Sequence, residues 1–358
     1  MSKKKKIVVA MSGGVDSSVV AALLYDKGYE VIGITLQLYD HGKAIAKKGA
    51  CCAGQDIYDA QIAAKKIGIA HYVLNYESLF KRKVIDDFIR SYIQGETPIP
   101  CILCNQKVKF DDLLKAAINL DADALATGHY VRKVENDNKT ELHKAYDHTK
   151  DQSYFLFSIT KSQLNRIIFP LGELKKIETR ELAKSFGLNT ATKPESQDIC
   201  FVPEGNYAKL IKKLQPNAFV PGKIVLKNGE VVGKHEGIVN YTVGQRRGIG
   251  IANQKPLYVI KIDPKKNHVV VGYKSDLDAS ILKIRDLNWL AEDKLLKKEL
   301  KCSVKLRSTH KEVNALLKYL GNGYANVRLF SNYPGITPGQ ACVIYHNTKI
   351  LGGGWIVH

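Results

Sequence analysis

AMSGGVDSS, residues Ala10 to Ser18, decides how the rest of the chain is read. It follows the apolar run Ile7-Val8-Val9-Ala10 and opens into Ser17-Ser18-Val19-Val20-Ala21-Ala22-Leu23-Leu24. That is a strand, a tight Gly-Gly turn and a helix with serines at its cap. Amides of the turn, added to the free N–H groups and positive dipole end of the helix, make an anion site. Gly13 and Gly14 let the backbone approach an anion closely. Ser12, Ser17 and Ser18 add hydroxyl donors, and Asp16 is placed to hold a magnesium ion on a polyphosphate. The Gly-Lys-Ser/Thr ending of a Walker loop is missing, and so is the Gly-x-Gly-x-x-Gly dinucleotide fingerprint. The plain alternative is an ordinary strand–turn–helix junction with a serine cap.

Outward from this loop, Val31 to Leu36 reads as a second buried strand, followed by a polar loop from Tyr39 to Gly54 and a helix from Gln55 to Gly68. His71 to Leu74 is a third strand, Leu79 to Ile93 a helix, and Asn105 to Leu120 another, with Val108, Leu113, Leu114 and Ala117 recurring near helical spacing. Asp123 to Thr127 is a strand leading into Gly128-His129. Strands alternating with helices predict an α/β doubly wound parallel sheet. In such sheets ligands bind beyond the carboxyl ends of the strands, where the first loop lies. After about Gly205 the pattern changes. Lys223 to Val232 is a hairpin turning at Asn228-Gly229, and Tyr258 to Gly272 is another. Short alternating runs from Ile281 onward predict a small β-barrel. The expected organisation is a catalytic domain over 1–205, a small linking domain over 206–278 and a C-terminal β-barrel over 279–358.

At 358 residues the chain can bury a sizeable core. Its formal charge of +19 points to a polyanionic partner, nucleic acid first and membrane surface second, although a lysine-rich proteome would give the same excess. Lys3 to Lys6 begin like a signal peptide, but the apolar run stops at Met11. No stretch reaches transmembrane length. Seven cysteines, an odd number, fit a reducing cytoplasm and roles other than structural disulfides.

The run Thr97-Pro98-Ile99-Pro100-Cys101-Ile102-Leu103-Cys104 places Cys104 near a helix N-terminus, where the dipole favours thiolate. Ser196-Gln197-Asp198-Ile199-Cys200-Phe201 offers a third thiol. A structural zinc site lacks a second Cys-x-x-Cys or His pair. A thioredoxin-type pair would not have its prolines before the cysteines, and buried inert cysteine is the third alternative. Cys302 and Cys342, in strand-like runs, read as core; Cys51 and Cys52 read as structural. His129 faces the nucleotide or is a satisfied structural histidine. Arg246 and Arg247 suit phosphate contact or are solvated surface.

SGGVDSS resembles the pyrophosphate-binding loop of the ATP pyrophosphatases, which split ATP between the α and β phosphates and adenylate a carbonyl oxygen. With ACCAGQDIYDA, TPIPCILCNQKVKF, ATGHYV, KDQSYFLF, FPLGEL, SQDICF, YTVGQRRGIGI and LGGGWI in order, the chain resembles the tRNA-specific 2-thiouridylases, the MnmA family, from residue 7 to residue 357. The resemblance implies an adenine nucleotide α-hydrolase-like catalytic domain that inserts sulfur at C2 of the tRNA wobble uridine. ATP, with Mg2+, would bind along Ala10, Met11, Ser12, Gly13, Gly14, Val15, Asp16 and Ser17, with Leu36 and Gly128 lining the pocket. Cys200 matches the persulfide carrier, loaded by a relay protein or cysteine desulfurase. Cys104 matches the nucleophile that attacks that persulfide, leaving a Cys104–Cys200 disulfide. Lys150, Asp151, Gln152, Arg307 and Ser308 match tRNA contacts, and Ile99, Pro100 and Cys101 the target-base segment.

Ile99-Pro100-Cys101 stands where many members have Asn-Pro-Asp, so Cys101 is either an auxiliary acid/base or, with Cys104 and Cys200, a ligand of a [4Fe–4S] cluster. Arg307-Ser308 replaces the common Arg-Tyr and removes an aromatic stacking surface. Two rivals stand beside this reading. One is an ATP-pyrophosphatase ligase that joins an amine and needs no thiols. The other is an RNA-binding protein with a retired active site.

Overall fold

The computed structural model describes residues 4–39, 52–136, 139–195, 199–202 and 205–357. Cys51, most of the expected 39–54 loop and Ser196 to Asp198 lie outside the described residues. The chain forms two compact units. One comprises 1–84, 101–197 and 348–350, the other 85–100, 198–347 and 351–358.

The first unit is built on β1 (Lys6–Ala10), whose three central residues are fully enclosed. Such a run, apolar without alternation, belongs in a sheet covered on both faces. It leads through the glycine turn into α1 (Val15–Asp26), buried on nearly every side. Then come β2 (Glu30–Gln37), α2 (Cys52–Ile67), β3 (Ala70–Asn75) and β4 (Ala124–Ala126). A hairpin follows, β5 (Val131–Asn136) with β6 (Lys139–Lys144), then β7 (Ile167–Ile168) and α3 (Lys176–Ser185). Among the described residues the sheet order is β3-β2-β1-β4-β7, all parallel. The doubly wound parallel sheet expected from the alternation is therefore present. Val19, Val20, Ala21 and Ala22 pack against Val9, Ala126 and Leu171 in its core. The β5–β6 hairpin and the two-residue β7 were not foreseen. The hairpin is short and largely polar, β7 is only two residues long, and β6 takes Lys349 as a partner of His143.

The second unit carries β8 (Gly222–Leu226), β9 (Val231–His235), β10 (Tyr258–Asp263) and β11 (His268–Gly272), ordered β10-β11-β8-β9. Both expected hairpins form, and Gly229 takes the positive φ of 92° that its turn requires. The barrel strands follow: β12 (Asp278–Trp289), β13 (Leu300–Lys305), β14 (Val313–Gly321), β15 (Tyr324–Pro334), β16 (Ala341–His346) and β17 (Lys349–Ile356). Their order is β12-β15-β14-β13-β16-β17, and β17 pairs back to β12, so the barrel closes and leaves no edge. Cys302 and Cys342 are core, as read. Burial pushes the Cys302 thiol up to about 12 and Cys342 well above its ordinary value.

Candidate active site

The phosphate loop is formed by the end of β1 and the start of α1. Register places Ala10 beside Ile34, so Leu36 stands beyond the carboxyl end of β1, half-buried, on the loop's side of the sheet. Met11 is buried and its N–H donates to Ile34 O at 2.8 Å. Gly13 has φ +73°, and a Cβ there would lie 2.1 Å from the Asp56 carbonyl oxygen. Only glycine fits that position. Gly14 begins the helix with no side chain capping it. Instead Ser18 Oγ donates back to Gly14 O at 2.9 Å, and Ser17 Oγ does so at 3.3 Å while accepting from Ser12 N–H at 3.1 Å. The serines therefore do not serve as the expected cap. They brace the turn, and the first amides of α1, which have no partner within the helix, stay open to an anion. Gly128 follows β4 and packs against this first turn, where a Cβ would lie 2.9 Å from Ser17 N. One unit thus brings together all ten residues expected around ATP.

Asp16 is not an open carboxylate. Both its oxygens accept from Lys176 Nζ, at 2.6 and 2.7 Å, and Oδ1 also accepts from Tyr130 Oη at 2.9 Å. Lys176 is buried and lies 5.4 Å over the Tyr130 ring. Burial first, and the Asp16 charge second, raise the Tyr130 phenol well above its ordinary pKa. Lys193 reaches the loop from the opposite end of the unit's sequence, donating to Gly13 O at 3.1 Å, to Asp56 Oδ1 at 2.8 Å and to Asp59. Sequence reasoning missed Lys176, Lys193 and Tyr130. Their positions in FPLGELKK, TKPE and TGHY carry no spacing that points at the loop. His129 is a satisfied histidine: its Nδ1 is 2.8 Å from Thr127 Oγ1 and its ring packs on Phe110. Burial, followed by the Lys109 charge, holds its pKa well below the ordinary value.

The cysteines lie on a helical stretch that begins at Pro100, suited to a first helical position, and widens into a π-helical run over Cys104–Leu113. Pi turns are common at functional sites. The helix starts earlier than the expected Asn105, so Cys104 lies past the first turn. Cys101 takes the place near the dipole end. Cys104 is buried, and burial raises its pKa despite the opposing Lys109 charge. The expected dipole-lowered thiol is thus corrected: desolvation outweighs the dipole. Cys101 exposes part of its side chain, yet the packing around its sulfur raises its pKa too, again against Lys109. Neither cysteine is in a disulfide.

Asp151 and Gln152 make internal bonds. Asp151 accepts from Ala145 N–H at 3.0 Å and Ser153 Oγ at 2.7 Å, and Gln152 Oε1 accepts from Tyr130 N–H at 2.9 Å. Lys150 reaches outward to Glu195 at 2.8 Å. Asn105, beside Cys104, donates to Phe155 O at 3.2 Å and so ties the cysteine helix to the KDQSYF turn. In the second unit one barrel turn gathers two of the expected tRNA elements. Arg307 donates to Gly335 O at 2.8 Å and Thr337 Oγ1 at 2.9 Å, while Thr97, just ahead of Ile99 and Pro100, bonds Pro338 O and Gln340. Ser308 and Cys200 are exposed, as are Arg246 and Arg247.

A parallel sheet with an uncapped, glycine-turned helix start, followed by a closed β-barrel, defines a nucleotide-handling α/β enzyme with an appended barrel. Three family profiles match in order: tRNA methyl transferase HUP domain over 5–204, tRNA methyl transferase PRC-barrel domain over 208–273, and aminomethyltransferase beta-barrel domain over 279–356. The chain is 58% identical over 355 residues to the tRNA-specific 2-thiouridylase MnmA of Rickettsia rickettsii (strain Sheila Smith), covering 99% of this chain and 97% of that protein. It is 58% identical over 354 residues to the corresponding Rickettsia conorii (strain ATCC VR-613 / Malish 7) protein, covering 99% and 96%. Among solved structures, NMN synthetase from Francisella tularensis overlaps at 18% identity and a TM-score of 0.35, over 60% of this chain and 78% of that one, too loosely to bear on function. The chain belongs to the MnmA family of tRNA-specific 2-thiouridylases, as its motifs indicated.

Proposed function

We propose that the protein performs ATP-dependent 2-thiolation of the wobble uridine of tRNA. The observation that carries this reading is the open N-terminus of α1, with its Gly13 turn and Gly128 wall, in the same unit as the Cys101–Cys104 helix. The uridine C2 oxygen attacks the α-phosphorus of ATP and pyrophosphate leaves, its charge received by the amides of Gly14 and the first turn of α1. A relay protein or cysteine desulfurase loads Cys200 with a persulfide. Cys104 sulfur attacks Cys200 Sγ and breaks the S–S bond. The terminal sulfur leaves as hydrosulfide with the thiol's proton. Hydrosulfide adds at C2, AMP departs with the bonding electron pair, and the added sulfur releases its proton to solvent, leaving the thiocarbonyl. The Cys104–Cys200 disulfide then takes two electrons from a thiol reductant. Cys101, kept protonated by its raised pKa, serves as an auxiliary proton donor.

Magnesium would travel on the phosphates of ATP. A metal on Asp16 would have to displace the Lys176 ammonium, so no step is assigned to it. Among the described residues no group of three or more His, Cys, Asp or Glu side chains is placed to hold a metal. The reaction as proposed needs no [4Fe–4S] cluster, and no step is assigned to one. The tRNA is met by Lys150, Asp151, Gln152, Arg307, Ser308 and the Ile99–Cys101 segment, within a three-part division at 1–205, 206–278 and 279–358. No helix among the described residues is long and apolar enough to cross a membrane, and the exposed thiols suit a reducing cytoplasm. The charge of +19 suits a ligand held by counterion release, with affinity falling steeply with salt. The test is thiolation of unmodified tRNA by aerobically purified, metal-stripped protein given ATP, magnesium and sulfide. Thiouridine at the wobble position is expected. Product that appears only after iron is rebuilt into the protein would refute the cluster-free route.

A further inference from the structure

Residues 191–195, which precede Cys200 in the sequence, are held beside the ATP loop by several long side chains, most of which the sequence did not single out. Arg180 Nη1 donates to Ala191 O at 2.8 Å and to Lys193 O at 3.3 Å. Glu195 bonds Lys150 at 2.8 Å and lies 3.4 Å from Lys176, the partner of Asp16. Lys193 crosses to the loop itself. Its ammonium is anchored on α2 by Asp56 and Asp59 and presents a third N–H to the Gly13 carbonyl at 3.1 Å. Burial alone would lower the Lys193 pKa, but its bonds to Asp56 and Asp59 outweigh burial and raise it, so the charge is secure.

A trans peptide aims its N–H opposite its C=O. The Gly13–Gly14 peptide has its carbonyl on Lys193, so its amide, the Gly14 N–H, points the other way. Gly13, at φ +73°, is pressed against the Asp56 backbone and has the freedom to rotate that peptide if the carbonyl is released. We propose that Lys193 is a positioning residue for the ATP step: it holds the Gly13–Gly14 peptide in the orientation that turns its amide toward the phosphates, and does so only while residues 191–195 are docked. The loop's affinity for phosphate is thereby tied to the segment leading to the persulfide cysteine. This inference rests on the reading of the loop as the ATP site.

The experiment is equilibrium binding of ATP, inorganic pyrophosphate and adenosine to the full-length protein and to Lys193→Gln, Lys193→Arg and Asp59→Asn. Lys193→Gln is expected to weaken ATP and pyrophosphate each by about tenfold while adenosine stays within about twofold of wild type. Lys193→Arg should recover part of that loss, because it restores a donor to the carbonyl. Asp59→Asn should weaken pyrophosphate in the same direction and combine less than additively with Lys193→Gln. Unchanged pyrophosphate binding in Lys193→Gln, or an equal loss of adenosine, would overturn the proposal. Wild-type protein that binds neither ATP nor pyrophosphate would overturn the ATP-site reading, and the proposal with it.

Discussion

The phosphate loop and the cysteine helix belong to one unit but stand in opposite states of readiness. The loop is built in advance: its amides are open, its serines brace the turn, and Gly13 and Gly128 let the loop pack closely against Asp56 and the first turn of α1. The cysteine helix is not. Cys104 is buried, its pKa raised, and the charge of Lys109 fails to offset desolvation. On the proposed reading, adenylation would begin as soon as substrates arrive, whereas sulfur transfer would wait on ionisation of the buried Cys104 thiol.

The largest effect that would break this contrast falls on the loop. Gly13→Ala forces a Cβ to within 2.1 Å of Asp56 O at a positive φ. It should slow tRNA-dependent pyrophosphate release by about a hundredfold, as a distortion of 2–3 kcal/mol implies. Next comes pH. With the thiol ionisation displaced upward, single-turnover sulfur transfer should rise by up to about tenfold per pH unit, past the ordinary thiol range, while pyrophosphate release stays flatter. The same shift bears on stability. The folded protein keeps the Cys104 proton after the unfolded chain has lost it, so this contribution is full below the ordinary thiol pKa. It is lost as pH rises through the folded value, which urea unfolding from neutral to alkaline pH would read out. Alkylation should separate the two cysteines by several-fold: exposed Cys101 reacts first, Cys104 later, and peptide mass analysis orders them. Smallest is Ser18→Ala, which removes the hydroxyl bond to Gly14 O and should lower the unfolding free energy by only about 1 kcal/mol.

Much of this was legible in the chain, and the failures follow one rule. The parallel sheet could be read because β1 and β2 are apolar runs broken by turns. The loop could be read because its glycines sit where backbone geometry leaves no choice. Features built from distant partners could not. Lys176 is 160 positions from Asp16, and Lys193 is 137 from Asp56, so no local pattern announces either pair. Cys104 shows the same limit. Its place near a helix start argued for a low pKa, but burial in the fold, which no local pattern announces, decides it. Asp151 and Gln152 carry the family's motif, yet the structure shows their side chains bracing Ser153 and Tyr130, which the motif alone does not reveal.

The most direct test of a loop built in advance beside a thiol held back is to follow both half-reactions in Cys104→Ser. With tRNA, ATP and a relay protein or cysteine desulfurase supplying persulfide in place of free sulfide, this variant should release pyrophosphate at close to the wild-type rate and form no 2-thiouridine, whereas wild type forms it. Thiouridine formed without Cys104, or pyrophosphate release lost together with thiolation, would contradict the account.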